Sequence, residues 1–378
     1  MQESVITLST VKMAKRTQPQ EPDEEYLHED RYVRRVQVTG RGSYIVSIPK
    51  HWVEAAGLKK GGRVEFSRQQ NRGLLLAPFD GGAMTEERMR CEIALPSDAD
   101  PDAVTRKIIS LYVIGFSTIE ITAKSGTLSA RVRDSIRNVA RQKLVGTEMI
   151  TESSRSATLQ VLLNYPQLLV PDALRRMSSI MASMQQDATL ALTSNDKELA
   201  AQVIKIDDEI DRFSLFIIRQ LKWAVQHPPL LEKIGLTSPV ECLGYRIITK
   251  SVERSADHAC RIAQNALVFD RQLDPGLLKD INSLGQFSMR MMETALRALH
   301  TNDYDLAENI LLEKEKMSGL ESKLVERLFK EKMPADEVSA MTLISESLRR
   351  IGEYATDVAE VVLNLTVEKA IQQPIKAQ

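Results

Sequence analysis

The chain has 378 residues, more than the roughly 250 to 300 at which a single core stops growing, so it contains more than one domain. A hydrophobic fraction of 43% and a charged fraction of 27% exclude a chain that is disordered throughout. The net charge of -1 is unevenly distributed, because residues 31–78 contain ten Lys and Arg but only two Glu, a local charge of +8.

The first 78 residues divide into a polar tail and a small β-rich domain. Residues 1–30 have no apolar period, which predicts a disordered tail. In residues 31–78, short apolar runs alternate with turn residues, and the predicted strands span 32–38, 44–48, 63–66 and 73–77. So small a unit has few side chains to bury, so we expect a homodimer.

Alternating strand and helix signals in residues 85–165 predict a small α+β connector. Beyond it, apolar residues recur at three- and four-residue steps, which predicts helices. Residues 191–200 resemble residues 298–307 at an offset of 107, so we expect two three-helix repeats, 172–272 and 276–370. The expected fold class is multidomain, with a small all-β domain, a small α+β connector and an all-α bundle of two repeats.

Basic residues surround the first predicted hairpin. Arg34 and Arg35 precede its glycine turn, Arg41 lies in the turn and Lys50 follows the second strand. In a dimer these side chains would share an exposed face, where they could neutralise DNA phosphates and where Arg could hydrogen-bond guanine. From spacing alone, a solvated basic surface is an equal alternative.

The order of residues in this domain is similar to the sequence pattern of a known protein family. The matching segments are YVRRVQ (32–37), GRGSYIVSIPKHW (40–52) and GLKKGGRV (57–64). They resemble the AbrB/SpoVT family of swapped-hairpin DNA-binding domains. The resemblance implies an intertwined dimer that completes one barrel, with Arg34, Arg35 and Arg41 along the DNA and Lys50 at the rim.

Two carboxylate pairs mark the first repeat of the bundle. Asp207 and Asp211 lie four residues apart, as do Glu253 and Asp257. Residues at this spacing share a helix face, and their like charges repel unless a cation intervenes. Two such helices in contact would offer an oxygen site suited to Mg, Mn or Fe. Taken singly, each pair is also typical of a solvated acidic face.

The segment ERSADHACRIA (253–263) resembles the E-R-x-x-D-H-A helix of the PhoU family of phosphate-signalling proteins, and RIGEYATDVAE (350–360) is its second copy. The resemblance implies two three-helix repeats and a divalent or trivalent metal ion, namely Mg, Mn, Fe or Zn. The implied ligands are Asp207, Asp211, Glu253 and Asp257 in the first repeat, with Glu353 and Asp357 in the second.

The second repeat departs from the first at these positions. Lys314 and Ser318 stand where the first repeat has Asp207 and Asp211, and Arg349 stands in place of a glutamate. We therefore expect one good cation site in the first repeat and a weak or absent site in the second.

Missing motifs exclude several classes of protein. The sequence has no P-loop, no GxGxxG after a strand, no GxSxG and no HExxH, so we expect no enzyme. Three cysteines without a Cys-x-x-Cys spacing indicate reduced thiols. The absence of a long apolar run and of an apolar leader predicts a cytoplasmic protein without membrane insertion.

Together the two resemblances imply a DNA-binding transcriptional regulator of phosphate uptake and homeostasis, whose bundle senses a metal ion, phosphate status or a partner. The expected partners are DNA, a second copy of the chain, and a phosphate transporter subunit or sensor kinase. The alternative is a PhoU-type signalling adaptor that binds no DNA and acts on such a transporter or kinase.

Overall fold

The computed structural model describes residues 4–6, 26–28, 31–40, 42–68, 73–79, 90–162 and 168–372. The chain divides into two compact units, Met1–Glu87 and Arg88–Gln378. Most of the predicted tail, 1–30, lies outside the described residues. The exceptions are two short strands, Ser4–Ile6 (β1) and Tyr26–His28 (β2), and these six residues depart from the prediction of disorder.

The first unit consists of short antiparallel strands and one short helix. Its remaining elements are Arg31–Tyr32 (β3), Gln37–Thr39 (β4), Ser43–Ile48 (β5), Lys50–Ala55 (α1), Val64–Arg68 (β6) and Leu74–Pro78 (β7). Strand β5 lies between β1 and β4, while β2 pairs with β3 and β6 pairs with β7. Gly40 and Gly42 both have positive φ in the β4–β5 turn, where a side chain would be strained.

The predicted strand over 32–38 is divided in two. Strand β3 pairs with β2 and β4 pairs with β5, and residues 33–36 between them are not part of a strand. Apolar side chains of this unit are exposed, among them Val38 at 66% and Leu74 at 72%. Pro49 is the one buried residue in its described part. The described part of this unit therefore contains no hydrophobic core.

The connector forms a four-stranded sheet covered by two helices. Its elements are Arg90–Leu95 (β8), Pro101–Ile114 (α2), Thr118–Ala123 (β9), Ala130–Asn138 (α3), Thr147–Glu152 (β10) and Ser156–Val161 (β11). The strand order is β10-β11-β9-β8, and only the β8–β9 pair is parallel. Alternate residues of β9 and β11, such as Ile119 and Leu159, are buried with Ile108 and Tyr112 of α2.

The bundle contains seven α-helices among the described residues, with two short 3-10 turns between the second and the third. They are Val170–Ser194 (α4), Lys197–Gln226 (α5), Pro239–Ala266 (α6), Pro275–Thr301 (α7), Tyr304–Leu312 (α8), Lys314–Lys330 (α9) and Ala335–Gln372 (α10). Helices α4, α5 and α6 form the first repeat. Helix α7, the interrupted pair α8 and α9, and α10 form the second.

The internal repeat is visible at matched turns. Helix α4 ends at Asn195 and α7 ends at Asn302, both in the left-handed conformation and 107 residues apart. The following aspartates, Asp196 and Asp303, cap the next helices by accepting from backbone N–H groups at 2.9 Å. The same local chemistry therefore sets the same helix–turn–helix geometry in both repeats.

The two repeats share one continuous core. Helix α6 packs on α10 and α4 packs on α7, and methionines such as Met177, Met181 and Met292 are fully buried among these helices. The predicted division into a small β region, an α+β connector and an all-helical bundle of two repeats is confirmed. No helix within the described ranges is long and apolar enough to span a bilayer.

Candidate functional site

The four carboxylates predicted in the first repeat lie along the contact between α5 and α6. Asp207 and Asp211 are one turn apart on α5, and Glu253 and Asp257 are one turn apart on α6. Burial, reinforced by the charges of Asp257 and Asp211, raises the pKa of Asp207 from 3.8 to about 6. The helix pairing thus brings the acidic side chains close enough for mutual repulsion.

The neighbouring carboxyl groups show the same effect. Burial, with the charge of Glu253 next in importance, raises the pKa of both Asp211 and Asp257. Glu253 itself is held by Lys250 and by the Ser214 hydroxyl, 3.3 Å from its Oε2. Across the described residues, no three His, Cys, Asp or Glu side chains converge as ligands of a metal ion. A bound cation would have to replace some of these protein contacts.

Asp207→Asn is expected to stabilise the fold in a pH-dependent way. The folded pKa of Asp207, about 6, lies above its ordinary value of 3.8, so ionisation destabilises the folded state above pH 6. That cost disappears as the pH falls from 6 to 4, where the folded group is protonated. With solvent screening included, the variant should gain about 1 kcal/mol at pH 8 and little at pH 4 in urea unfolding.

Glu308→Gln, which neutralises an exposed carboxylate on α8, serves as the control for Asp207→Asn. It should change the free energy of unfolding by less than about 0.5 kcal/mol at both pH values. Equal stability changes for Asp207→Asn at pH 4 and pH 8 would contradict the assigned pKa.

In the second repeat the predicted carboxylates already have partners or face solvent. Glu353 is paired through one oxygen with Arg349 and through the other with Arg350, at 2.6 Å. Arg349 Nε also lies 3.0 Å from Glu321 Oε1. Asp357 lies one turn further along α10 with its side chain open to solvent on one side, and its partial burial, followed by the charge of Glu360, raises its pKa. Arg349 therefore lies between Glu321 and Glu353, and Arg350 pairs with the second oxygen of Glu353.

The basic residues predicted to contact DNA lie near the first hairpin. The Arg34 guanidinium carbon is 5.5 Å from the centre of the Tyr32 ring, and the Arg35 side chain is exposed. Lys50 is exposed and lies 3.5 Å from Glu54. Arg41 lies outside the described residues. Arg34 is thus half-buried, and Arg35 and Lys50 are exposed, all within the first unit.

The bundle and the β-rich unit each match a family model. Residues 174–266 and 281–362 match the PhoU domain, so the two matches follow the two helical repeats. The bundle is a tandem of two PhoU domains. Residues 37–79 match the family described as antidote-toxin recognition MazE, bacterial antitoxin, which supports the predicted swapped-hairpin domain.

Curated relatives match the PhoU tandem. One is the phosphate-specific transport system accessory protein PhoU homolog 1 of Thermotoga maritima, 22% identical over 211 residues, covering 54% of this chain and 89% of the relative. The PhoU homolog of Pseudomonas aeruginosa is 26% identical over 199 residues, covering 50% and 78% respectively. The crystal structure of PhoU from Pseudomonas aeruginosa gives a TM-score of 0.47 at 22% identity, covering 53% of this chain and 96% of that one.

The connector is fastened to the first PhoU repeat by a buried arginine. Arg219 on α5 is 4% exposed, and its guanidinium donates to the carbonyl oxygens of Tyr112, Gly115 and Phe116 at the end of α2. The guanidinium also lies 4.8 Å from the centre of the Tyr112 ring. The last carbonyl oxygens of a helix lack the N–H donors of a following turn, so Arg219 donates to this end of α2 and neutralises its negative charge. The Tyr112 carbonyl also accepts from the Gly115 N–H at 3.1 Å.

A second contact joins the connector to the carboxylate cluster of the PhoU tandem. Lys143, at the end of a π-helical turn after α3, lies 3.7 Å from Asp208 and 4.0 Å from Asp211. Neither Lys143 nor Arg219 was predicted from the sequence as functional. The signal that marks Arg219 is its position three residues after Phe216 and four residues before Trp223, because helical periodicity places it on the same face as these apolar side chains.

Proposed function

We propose that this protein regulates phosphate uptake. The observation that carries the proposal is the tandem of PhoU domains, whose relatives are named accessory proteins of a phosphate-specific transport system. An accessory role agrees with the missing catalytic motifs. The partner of the bundle is a phosphate transporter subunit or a sensor kinase.

The β-rich unit acts as a homodimer. Val36, Val38 and Leu74 are more than 60% exposed in the single chain. Exposed apolar side chains favour association with another surface. A second copy of the same unit supplies such a surface, as the resemblance to swapped-hairpin domains implies.

The dimer binds DNA through its basic residues. A charge of +8 in residues 31–78 attracts a polyanion even though the whole chain is nearly neutral. Arg34, Arg35, Arg41 and Lys50 contact phosphates, and the arginines can also read guanine in the major groove. The protein is therefore a transcriptional regulator in which a DNA-binding unit is joined to a PhoU sensor.

A divalent or trivalent cation binds in the first PhoU repeat, and the second repeat has a weak site or none. Asp207, Asp211, Glu253 and Asp257 line the contact between α5 and α6, where burial and mutual repulsion raise the pKa values of the three aspartates. No three of these carboxylates converge in the described structure, so the ion would have to draw them together. Oxygen ligands suit Mg, Mn or Fe. The ion would supply the positive charge that relieves this repulsion. Glu353 does not fit, because two arginines already pair with it.

Lys143 gives the connector a means of responding to that cation. It lies 4.0 Å from Asp211, so an ion held by Asp211 competes with Lys143 for the same carboxylate. A ligand can shift a conformational equilibrium only when it favours one arrangement over another. Loss of the contact between Lys143 and Asp211 is such a difference between the arrangements with and without the ion. The connector that carries Lys143 lies between the DNA-binding unit and the bundle in the sequence.

DNA binding is tested by fluorescence anisotropy of the full chain with labelled fragments from upstream of phosphate transporter genes. The wild-type affinity should fall steeply with salt. Arg34→Ala with Arg35→Ala should weaken binding at least about tenfold at 0.1 M salt and reduce the salt slope by about 2. Lys205→Ala with Lys222→Ala, which removes two exposed charges from α5, should leave binding unchanged.

The adaptor that binds no DNA is the second candidate function. The match of residues 37–79 favours it, since that family is described by recognition of a toxin. In the same titration, absence of saturable DNA binding by the wild-type chain would establish this second candidate. Equal affinities of the double arginine variant and the wild type would show that the basic hairpin does not read DNA.

A further inference from the structure

In the second PhoU repeat, a cleft between α9 and α10 corresponds to the contact between α5 and α6 in the first. This cleft lacks most of the acidic residues that the first repeat has at the matching positions. Lys314 and Ser318 on α9, together with Arg349 on α10, stand at positions that carboxylates hold in the first repeat. The matched residues His258 and Tyr354 pack with ring centroids 5.8 Å apart where the repeats meet. Two related clefts of one molecule therefore carry opposite chemistry.

The Arg349 guanidinium bridges the two helices of this cleft. Its Nε lies 3.0 Å from Glu321 of α9, and its Nη1 hydrogen-bonds Glu353 of α10. Arg350 holds the second oxygen of Glu353. Both glutamates are thus paired with arginine. No described residue accepts from the Arg349 Nη2 group, whose N–H donors remain for a ligand.

A cleft of about 250 Å³ opens beside these groups. Its walls include Arg349, Ser318, Thr356 and the exposed Lys314. The two hydroxyls donate to the backbone carbonyls of Lys314 and Glu353, so the donors left for a ligand are the ammonium and the guanidinium. Among the described residues none forms an ion pair with the Lys314 ammonium. One water occupies roughly 30 Å³ in the liquid, so this space accommodates a tetrahedral anion together with several waters.

We propose that this cleft binds a tetrahedral oxyanion of the inorganic phosphate class between Lys314 and Arg349. Ammonium and guanidinium donors match phosphate oxygens, which accept several charge-assisted hydrogen bonds at once. The two cationic groups also repel a metal ion. The biological meaning of this site rests on the proposed role in phosphate regulation, whereas the binding itself does not.

The test is isothermal titration of inorganic phosphate into the full chain after removal of divalent cations. The wild type should bind phosphate saturably. Lys314→Gln and Ser318→Asp change exposed residues, and each should weaken binding at least tenfold while circular dichroism shows an unchanged fold. Lys330→Gln, which removes an exposed charge at the far end of α9, should bind like the wild type.

Two results would overturn the inference: no saturable phosphate binding by the wild type, or wild-type affinity in both Lys314→Gln and Ser318→Asp. The DNA titration is independent of either result. If phosphate fails to bind while the basic hairpin still binds DNA, the oxyanion site is rejected and the proposed regulator stands.

Discussion

Arg219→Leu is expected to lower the free energy of unfolding of the second unit by about 3 kcal/mol, measured by urea unfolding at pH 7. The substitution removes three hydrogen bonds to the end of α2 and leaves the carbonyl oxygens of Tyr112, Gly115 and Phe116 without this donor. Buried acceptors that lose a partner cost more than the net value of the bonds themselves. The stacking contact with the Tyr112 ring is lost as well.

Lys222→Leu is the matched control, since Lys222 is an exposed cation one turn further along α5. It should alter stability by less than about 0.5 kcal/mol. Arg219→Lys should give an intermediate loss, because an ammonium keeps the charge but cannot span three carbonyls as the planar guanidinium does. If Arg219→Leu proves as stable as Lys222→Leu, then Arg219 does not hold the connector to the bundle.

Sequence reasoning succeeds here where structure depends on local chemistry. The turns at Asn195 and Asn302 and the capping residues after them occur as similar strings of residues, so the two repeats and the end of each first helix can be predicted. Helix faces are also periodic, which places Asp207 beside Asp211 and Glu253 beside Asp257. Local patterns are thus sufficient to predict the repeats and which of these acidic residues share a helix face.

Contacts between distant segments could not be predicted in the same way. Arg219 contacts the end of α2 across 103 to 107 residues, and Lys143 approaches Asp208 from another domain. Such pairs depend on how α5 docks against the connector, and no local pattern encodes that docking. The same holds for Glu321, whose contact with Arg349 requires α9 and α10 to be neighbours.

Arg349→Glu is expected to turn the second cleft into an acidic cluster that needs a cation. The substitution removes the guanidinium between Glu321 and Glu353 and adds a third carboxylate beside them. Breaking half-buried ion pairs and adding like-charge repulsion should cost about 2 kcal/mol at pH 8 without divalent ions. An ion that binds the folded state but not the unfolded state stabilises the protein. Mn²⁺ at about 100 times its Kd should therefore raise the free energy of unfolding by about 2.7 kcal/mol.

Arg349→Gln separates loss of the arginine from gain of the carboxylate. It removes the same ion pairs but adds no oxygen charge, so it should be destabilised without recovering in Mn²⁺. Thermal unfolding of the wild type and both variants, with chelator and with Mn²⁺, measures the difference. If neither variant is stabilised by Mn²⁺, position 349 does not by itself decide whether the second repeat holds a metal ion. Equal stabilisation of both variants would mean that loss of the arginine is sufficient. Stabilisation of Arg349→Glu alone would show that this repeat also lacks a carboxylate at position 349.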